Sequence, residues 1–596
     1  MKTLVIVESP SKAEKIQTYL GKDYIVLASK GHITDLAKGG KHGLGVDIEN
    51  NFKPHYVLME DKLETLDALL AAAKKVDQIF VASDPDREGE AIAWHLATRL
   101  DGCGKPIKRM VFNEIKKDKL LKAVKNVRDI DMNLFHSQEA RRILDRLVGF
   151  MVSSFLMNFF GSGLSAGRVQ SVVTRLVIDR EREIESFIPE DFWTIQVKLT
   201  NDRDESFIAK YNGRLTDLPT AEATKKALNV PEFVISEVSS EEEKRYPQAP
   251  LVTSTLQRIM SKIHGFGADR TMKAAQRLYE SGYCTYIRTD SVRVGDDALK
   301  EVRDWLTTNK YEVPKKAYVY KNKDVAQDAH ECIRPSDLTL LPGQNYAIID
   351  PDEKLVYETI WKYFVASQMM PAVYDTLAVT AYPQGNASVK VKSSGKSLKS
   401  KGYMDILGVE DNSSVNIPNL KVGDVVHLSG KGALKMEKKQ TQPPGRYSED
   451  KLIKELVNKN IGRPATYAEL LSKITSRNYV EKKGNVYHAT PLGKKITDEL
   501  NQYFTFMDYN YTAKMEQQLD EIESGKVNHI DMLKKFFPEF KKELDKAYMS
   551  RGGFLCEHCG NPMGTRIAKI DGSKFLACSG FPRCRNTKPI NAATAA

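Results

Sequence analysis

Through its first 125 residues the chain alternates two patterns of apolar positions. "TLVIVES", from Thr3, is a continuous apolar run of the kind found in strands buried on both faces. "SPSKAEKIQTYL" follows it as a helix opened by a Ser-Pro start signal. "DKLETLDALLAAAKKV" spaces its apolar residues helically, "QIFVAS" is a second buried strand, and "EGEAIAWHLATRL" a second helix. "IKRMVFNEI" and "KKDKLLKAV" repeat the pair. The alternation predicts an open α/β sheet, in which ligands gather at the carboxyl ends of the strands. Glu8 ends the first strand, and Asp84 and Asp86 follow the second, so the pattern brings these acids towards one edge.

Further along the pattern changes. Residues from about 126 to 186 are predicted helical, including "VTRLVIDREREIES". "FWTIQVKLT" alternates with period two and places Trp193, Ile195, Val197 and Leu199 on one face. Strand-like pieces return in "LAVTAYP", "SVKVKS" and "DVVHLSG", after a helical block at about 251–370, so one domain is expected to be inserted in another. Residues 448–490 run helix, helix, then "YVEKKGNVYHAT", a hairpin turning at "KKGN", which is the order of a winged helix. The chain is therefore expected to be multidomain, α/β plus α+β, with no internal repeat. "SSGKSLKS" contains a G-K-S, but a phosphate-binding loop also needs Gly five residues before Gly395, and Lys390 stands there. It reads as a lysine-rich loop.

Length supports several domains, because 596 residues at ~100–200 per domain make three to five. A hydrophobic content of 41% and a charged content of 28% are those of a soluble globular protein, and the net charge of +11 favours a polyanionic partner. "MKTLVIVESPSKAEK" turns polar after one strand length, unlike a signal peptide, and no stretch approaches the ~20 apolar residues of a membrane span. Of seven cysteines, Cys103, Cys284 and Cys332 are scattered, which argues against a disulfide scaffold and for a reducing cytoplasm.

Three constellations carry chemistry. In "FVASDPDREGEAIAWHL" the acids Asp84, Asp86, Glu88 and Glu90 crowd together, which costs stability unless a cation or substrate uses them. A helix N-terminus accommodates one or two carboxylates but not the whole cluster. Mg2+ takes oxygen ligands, often one or two carboxylates plus a phosphate, and Asp84, Asp86 and Glu88 suit it. Glu8 either joins them or acts as a general acid. In "GYCTYIRTDS", Tyr286 and Arg288 share a face if the segment is extended. A tyrosine hydroxyl can attack a phosphodiester while guanidinium holds the phosphate, although most of the 25 tyrosines must be packing residues. Finally, Cys556-x2-Cys559 and Cys578-x5-Cys584 have the spacing of a ribbon around one structural zinc. From 551 onward seven Lys/Arg face two acids, and Phe554, Phe575 and Phe581 lie among them, a composition suited to stacking on single-stranded nucleic acid.

Together these motifs resemble the type IA DNA topoisomerases of the bacterial topoisomerase I kind. "VIVESPSKAEKI" and "DPDREGEAIAWHL" are similar to the two halves of that family's Toprim domain, and "ARRILDRLVGF" and "GLSAGRVQS" to its gate-helix and DNA-binding motifs. "TYIRTDS" resembles its active-site tyrosine motif and "AHECIRPSD" its histidine motif. "PPGRYSEDKLIKELVNKNIGRPATYA" and "YNYTAKMEQQLDEIESG" match too, in order, to about residue 545. Bacterial members often carry several ribbons, and only one is visible here.

The resemblance implies a Toprim domain at 1–125 and a gate-base helical domain with a winged-helix-like unit at 126–186 and 441–547. It further implies a β-rich arch at 187–250 and 371–440, a helical domain carrying the tyrosine at 251–370, and a zinc ribbon with a basic tail at 548–596. These would form a toroidal, gate-forming core. By the same resemblance Tyr286 is the nucleophile, Arg288 steadies the phosphate, and Glu8, supported by Lys12, protonates the leaving 3′-oxygen. His330 and Arg334 would sit at the catalytic interface. Glu8, Asp84, Asp86 and Glu88 would hold Mg2+, and Arg141, Asp145, Gly167, Arg168, Gln170 and Arg334 would contact DNA. The partner implied is the single-stranded segment of underwound duplex, handled by a monomer without ATP or membrane. Two other readings of the residues stay open: another Toprim enzyme, a primase or nuclease, and a non-catalytic nucleic-acid clamp.

Overall fold

The computed structural model describes residues 2–39, 43–322, 330–344, 347–411, 415, 417–551, 554–560, 563–568, 572–578 and 584–589. Near the amino terminus lies a four-stranded parallel sheet in the order Tyr24–Ala28, Thr3–Val7, Gln78–Val81, Ile107–Arg109. Every residue of Thr3–Val7 is buried, because both faces are covered. Val5, Val7 and Phe80 pack with Ile16 on one side, while Leu4, Ile6, Ile79 and Val81 pack with Leu69 and Leu96 on the other. The chain leaves Thr3–Val7 towards one neighbour and returns on its other side as Gln78–Val81. That reversal opens a crevice at the strands' carboxyl ends, the place where such sheets bind ligands. The edge strand Tyr24–Ala28 lies outside the strands that the hydrophobic pattern predicts.

A second sheet is antiparallel and has seven strands, ordered Ser206–Tyr211, Val391–Ser400, Ala372–Pro383, Glu232–Arg245, Val425–Leu428, Asp191–Thr200, Leu434–Gln440. Ser206–Tyr211 also pairs with Asp191–Thr200, which closes the sheet on itself. Ile195, Val197 and Leu199 fill its core as their alternation predicts, with Trp193 at the margin. One expectation is corrected here. The lysine-rich "SSGKSLKS" is not a loop but most of the strand Val391–Ser400, paired along Ala372–Pro383. Its lysines stand on the solvent face, where a strand tolerates them, while Val391 and Ser393 turn inward.

Glu232–Arg245 and Ala372–Pro383 form a long ribbon whose far end pairs Arg245 with Ala372. The helices Thr253–His264, Ala268–Glu280, Asp296–Thr308 and Pro351–Ala366 hang between those two strands, so this block enters and leaves the sheet at one place. Downstream, Glu449–Asn458, Tyr467–Ser476 and the hairpin Val480–Lys483/Val486–Ala489 make the helix-helix-wing unit. Gly484 turns that hairpin at φ +59, the left-handed region where glycine is favoured.

The helix Met132–Phe160 corrects a second expectation, since it alone among the described helices is long and apolar enough to cross a membrane. Half of its apolar window is buried in the protein. Leu144, Leu147, Val148, Met151 and Phe155 pack with Leu519, Phe536, Phe540 and Leu544 of two downstream helices. Its apolar character is that of a core helix. The last of those helices, His529–Ser550, runs past residue 548, and Arg551 beyond it pairs with Glu499.

Candidate active site

The acids owe their position to two strand ends and the helices that follow them. Ser9 caps the helix Pro10–Leu20 by accepting from the Lys12 backbone N–H, with Pro10 preorganised at its first position. One turn in, buried Lys12 sends its Nζ back to Glu8 Oε2 at 2.9 Å and across to Asp84 Oδ1 at 2.5 Å. The Glu8 carboxylate also accepts from the Asp84 backbone N–H. Burial opposes the Lys12 charge, but Asp84 and Glu8 hold its pKa well above the ordinary value. Burial and the Glu8 charge push Asp84 up to about 7, and Lys12 only partly offsets them. One ammonium is thus shared by carboxylates that outnumber it, and the edge is short of positive charge. An all-oxygen, charge-deficient donor set of this kind fits Mg2+.

Asp86 does two things. Its Oδ1 caps the helix Arg87–Leu100 by accepting from the Gly89 N–H at 2.8 Å, and its Oδ2 accepts from Tyr286 Oη at 2.5 Å. Arg288 Nη1 lies 3.9 Å from the same Oδ2, so Tyr286 and Arg288 do share a face and both address Asp86. Tyr286 is buried, and its own N–H donates to Asn113 O at 2.8 Å, a backbone link between the helical block and the parallel-sheet domain. Burial first, then the Asp86 and Asp84 charges, hold its pKa well above the ordinary phenol value. His330 Nε2 donates to Pro85 O at 2.7 Å, and its ring stands edge-on to Tyr286 at 6.1 Å.

The remaining acids diverge. Glu88 Oε1 meets His32 Nε2 at 2.6 Å, and Glu88 Oε2 accepts from Gln138 at 3.3 Å. Against burial, these partners hold Glu88 at about 2. Glu90 is fully buried and ion-paired to Arg109 Nε at 3.0 Å and to Arg128, so it braces the sheet. Glycine is required inside the motif, because a Cβ on Gly89 would stand 2.1 Å from Asp84 O. Gly89→Ala is expected to destabilise the fold by about 1–3 kcal/mol, read as a lower denaturation midpoint.

Beside Tyr286 opens a cleft of about 440 Å³ bordered by Asp86, Arg141, Asp145, Arg288, His330 and Arg463. Arg141 on its wall and Arg168 behind it are clamped on the fully buried Glu516, with Arg168 Nη1 at 2.7 Å from Oε1. Arg168 Nε also meets Asp145 at 3.2 Å. Gly167 donates its N–H to Ser171 Oγ, while Gln170 opens the next helix with its Nε2 buried and unbonded. Arg334 is placed elsewhere. It is buried with Glu114 and Glu331, 3.4 and 3.1 Å away, and its backbone accepts from the Thr285 N–H. Reading the sequence missed Arg463 and Asp520, which pair at 2.5 Å on the cleft wall, and Glu516 behind it. All three fall inside quoted motifs, but no local pattern marks them.

At the carboxyl end Cys556 and Cys584 sulfurs are 3.5 Å apart, and those of Cys559 and Cys578 3.3 Å. All four lie within 4.8 Å of one another, too far for disulfides at ~2.05 Å and suited to a tetrahedral zinc. Phe554 and Phe575 are half-buried in the ribbon, and Phe581 lies outside the described residues. Truncation after Arg551, which spares its pair with Glu499, is expected to leave oligonucleotide cleavage intact but slow plasmid relaxation, with a shallower salt dependence of DNA binding. Cys556→Ala should behave alike, because losing a thiolate removes much of the metal energy that folds the ribbon. Superimposable relaxation curves across a salt series would show that the ribbon does not bind DNA.

A buried tyrosine pressed on a sheet edge of carboxylates, beside a cleft lined by arginines and acids together, suits an enzyme of the type I DNA topoisomerase class. The comparisons agree with that assignment. The family described as DNA topoisomerase matches residues 129–534, the Toprim domain residues 3–115, and the topoisomerase DNA binding C4 zinc finger residues 553–593. The solved structure of full-length topoisomerase I from Thermotoga maritima, in a monoclinic crystal form, is 34% identical with a TM-score of 0.81. The match covers 99% of this chain and 97% of that one. The chain belongs to the bacterial type IA DNA topoisomerase family. Because the match extends far beyond the Toprim domain, it separates this chain from other Toprim enzymes.

Proposed function

We propose that the chain relaxes negatively supercoiled DNA by cutting and resealing one strand through Tyr286, without ATP. The observation that carries this is the hydrogen bond from Tyr286 Oη to Asp86 Oδ2, which seats the phenol at the acid edge. A single strand lies along the cleft, with Arg288 paired to the phosphate being attacked. Tyr286 Oη bonds to phosphorus, the bond from phosphorus to the 3′-oxygen breaks, and the phenol proton passes to Asp86. Glu8 passes to the departing 3′-oxygen a proton drawn from the Lys12 ammonium hydrogen-bonded to it. Glu8, Asp84 and Asp86, with Glu88 on the adjoining helix turn, would hold Mg2+, which when bound supplies positive charge to align the freed end for religation. Arg141, Asp145, Gly167, Arg168 and Gln170 shape the strand's path, and Glu516 holds Arg141 and Arg168 in place.

Since Tyr286 is buried between the helical block and the parallel-sheet domain, these two bodies separate to admit and pass a strand. The phosphotyrosine conserves the bond energy, so no nucleotide is consumed. The chain acts as a monomer on cytoplasmic DNA. Underwound plasmid is expected to relax with Mg2+ alone, and fully paired, positively supercoiled plasmid to stay as it is, because only underwinding offers a single strand. Relaxation that required ATP, or ran equally on both substrates, would overturn this reading.

A further inference from the structure

Away from the cleft, His136, Glu139 and His529 bring three ligand atoms within 4.8 Å of one another. His136 and Glu139 stand one turn apart on the helix Met132–Phe160, and His529 is the first residue of His529–Ser550. Both imidazoles address a single atom: His136 Nδ1 and His529 Nε2 each lie 3.4 Å from Glu139 Oε2. That spacing is long for a charge-assisted hydrogen bond, which runs ~2.7–2.9 Å. The His32–Glu88 pair shows the difference, at 2.6 Å. A tetrahedral ion with bonds of ~2.0–2.1 Å instead sets its ligands ~3.3–3.4 Å apart.

The geometry points to a second metal site, formed by His136, Glu139 and His529, for a divalent first-row transition ion of the zinc type. Two imidazoles and one carboxylate are a known zinc donor set, and imidazole nitrogen selects against Mg2+. The free Glu139 oxygen is oriented from outside, by the Tyr56 hydroxyl donating to Oε1 at 3.2 Å. Such supporting bonds fix a ligand and tune its metal. The backbone around His529 is also held. Gly525 in the preceding turn has φ +71, and a Cβ there would stand 2.9 Å from Asn133 on the opposite helix. Glu139 is almost fully buried, whereas His136 is 32% exposed, so the site opens to solvent on one side and leaves a position for water. The two rings stack at 4.0 Å and 9°, and a shared ion needs its bonds near both ring planes, so one ring must tilt. The ring to turn would be that of His136, the more exposed of the two at 32% against 13%. The ion would clip the first turns of the two helices together and, through Tyr56, tie both to the parallel-sheet domain. This does not depend on how the cleft works.

The test is metal stoichiometry of the full chain after dialysis against micromolar Zn2+. Two ions per chain are expected, one in the ribbon and one here. His136→Gln with His529→Gln should hold one, and Cys556→Ala should also hold one. Substituting Co2+ distinguishes the sites, since sulfur-to-cobalt charge-transfer bands belong to the ribbon alone. Cobalt d–d absorption without those bands should persist in Cys556→Ala and vanish when the histidines are replaced. If the double variant fails to fold, His136→Asn at its half-exposed position serves, with at least a tenfold loss of affinity. Tyr56→Phe should weaken binding about 10–100-fold. One ion in the intact chain, or two in the folded histidine variant, would overturn the proposal.

Discussion

Tyr286→Phe is expected to abolish covalent capture of DNA while single-strand binding stays intact. The ring packs edge-on against Tyr279 at 5.3 Å and His330 at 6.1 Å, and phenylalanine fills the same space. Only the bond to Asp86 Oδ2 is lost, a stability cost of about 0.5–1.5 kcal/mol, and Asp86 Oδ1 still caps its helix. Removing a nucleophile, by contrast, costs on the order of 10⁴-fold or more in rate. Denaturing gels with labelled oligonucleotide check this. An adduct that persists and maps to Tyr279 or Tyr283 would show that another tyrosine attacks.

The second large effect is expected from Asp84→Asn combined with Asp86→Asn. Relaxation should fall by about 100-fold or more at ordinary Mg2+, and cleavage should fall less. The substitutions leave Glu8, paired with Lys12 at 2.9 Å, and Glu88, paired with His32 at 2.6 Å, so little attraction for a cation is left. A loss of ~3 kcal/mol of charge stabilisation is a factor of ~10² in rate. Asparagine is preferable to alanine at 86, because its side-chain oxygen can still accept from the Gly89 N–H, and losing that cap would cost about 0.5–2 kcal/mol. A Mg2+ titration of relaxation separates the two effects. Undiminished relaxation would remove these carboxylates from any metal role.

Much of this architecture was legible because local periodicity records which face of an element is buried. The continuous run Thr3–Val7 announced a strand covered on both sides, and the alternation from Trp193 to Leu199 a strand covered on one. Thiol spacing announced the ribbon in the same way. The misreadings share a cause. Val391–Ser400 carries lysines on its outer face and takes its order from the Ala372–Pro383 partner, so its own residues look like a loop. Met132–Phe160 is apolar on several sides because distant helices surround it.

The sequence by itself determined that acids stand at two strand ends, that a tyrosine and an arginine share a short motif, and that four thiols are spaced for zinc. Only the tertiary structure decided how their charges are used. Asp86 and Tyr286 are 200 positions apart, and Arg168 and Glu516 348, so no local pattern could pair them. Glu90 looks in sequence like its neighbours Asp84 and Asp86, yet buried Arg109 turns it into a brace. Arg334 sits in a motif beside His330, yet Glu114 draws it away from the cleft. Periodicity is set by burial, which a segment reports about itself. Whether a buried charge is free to bind or already paired depends on which distant side chain the fold brings within a few ångströms.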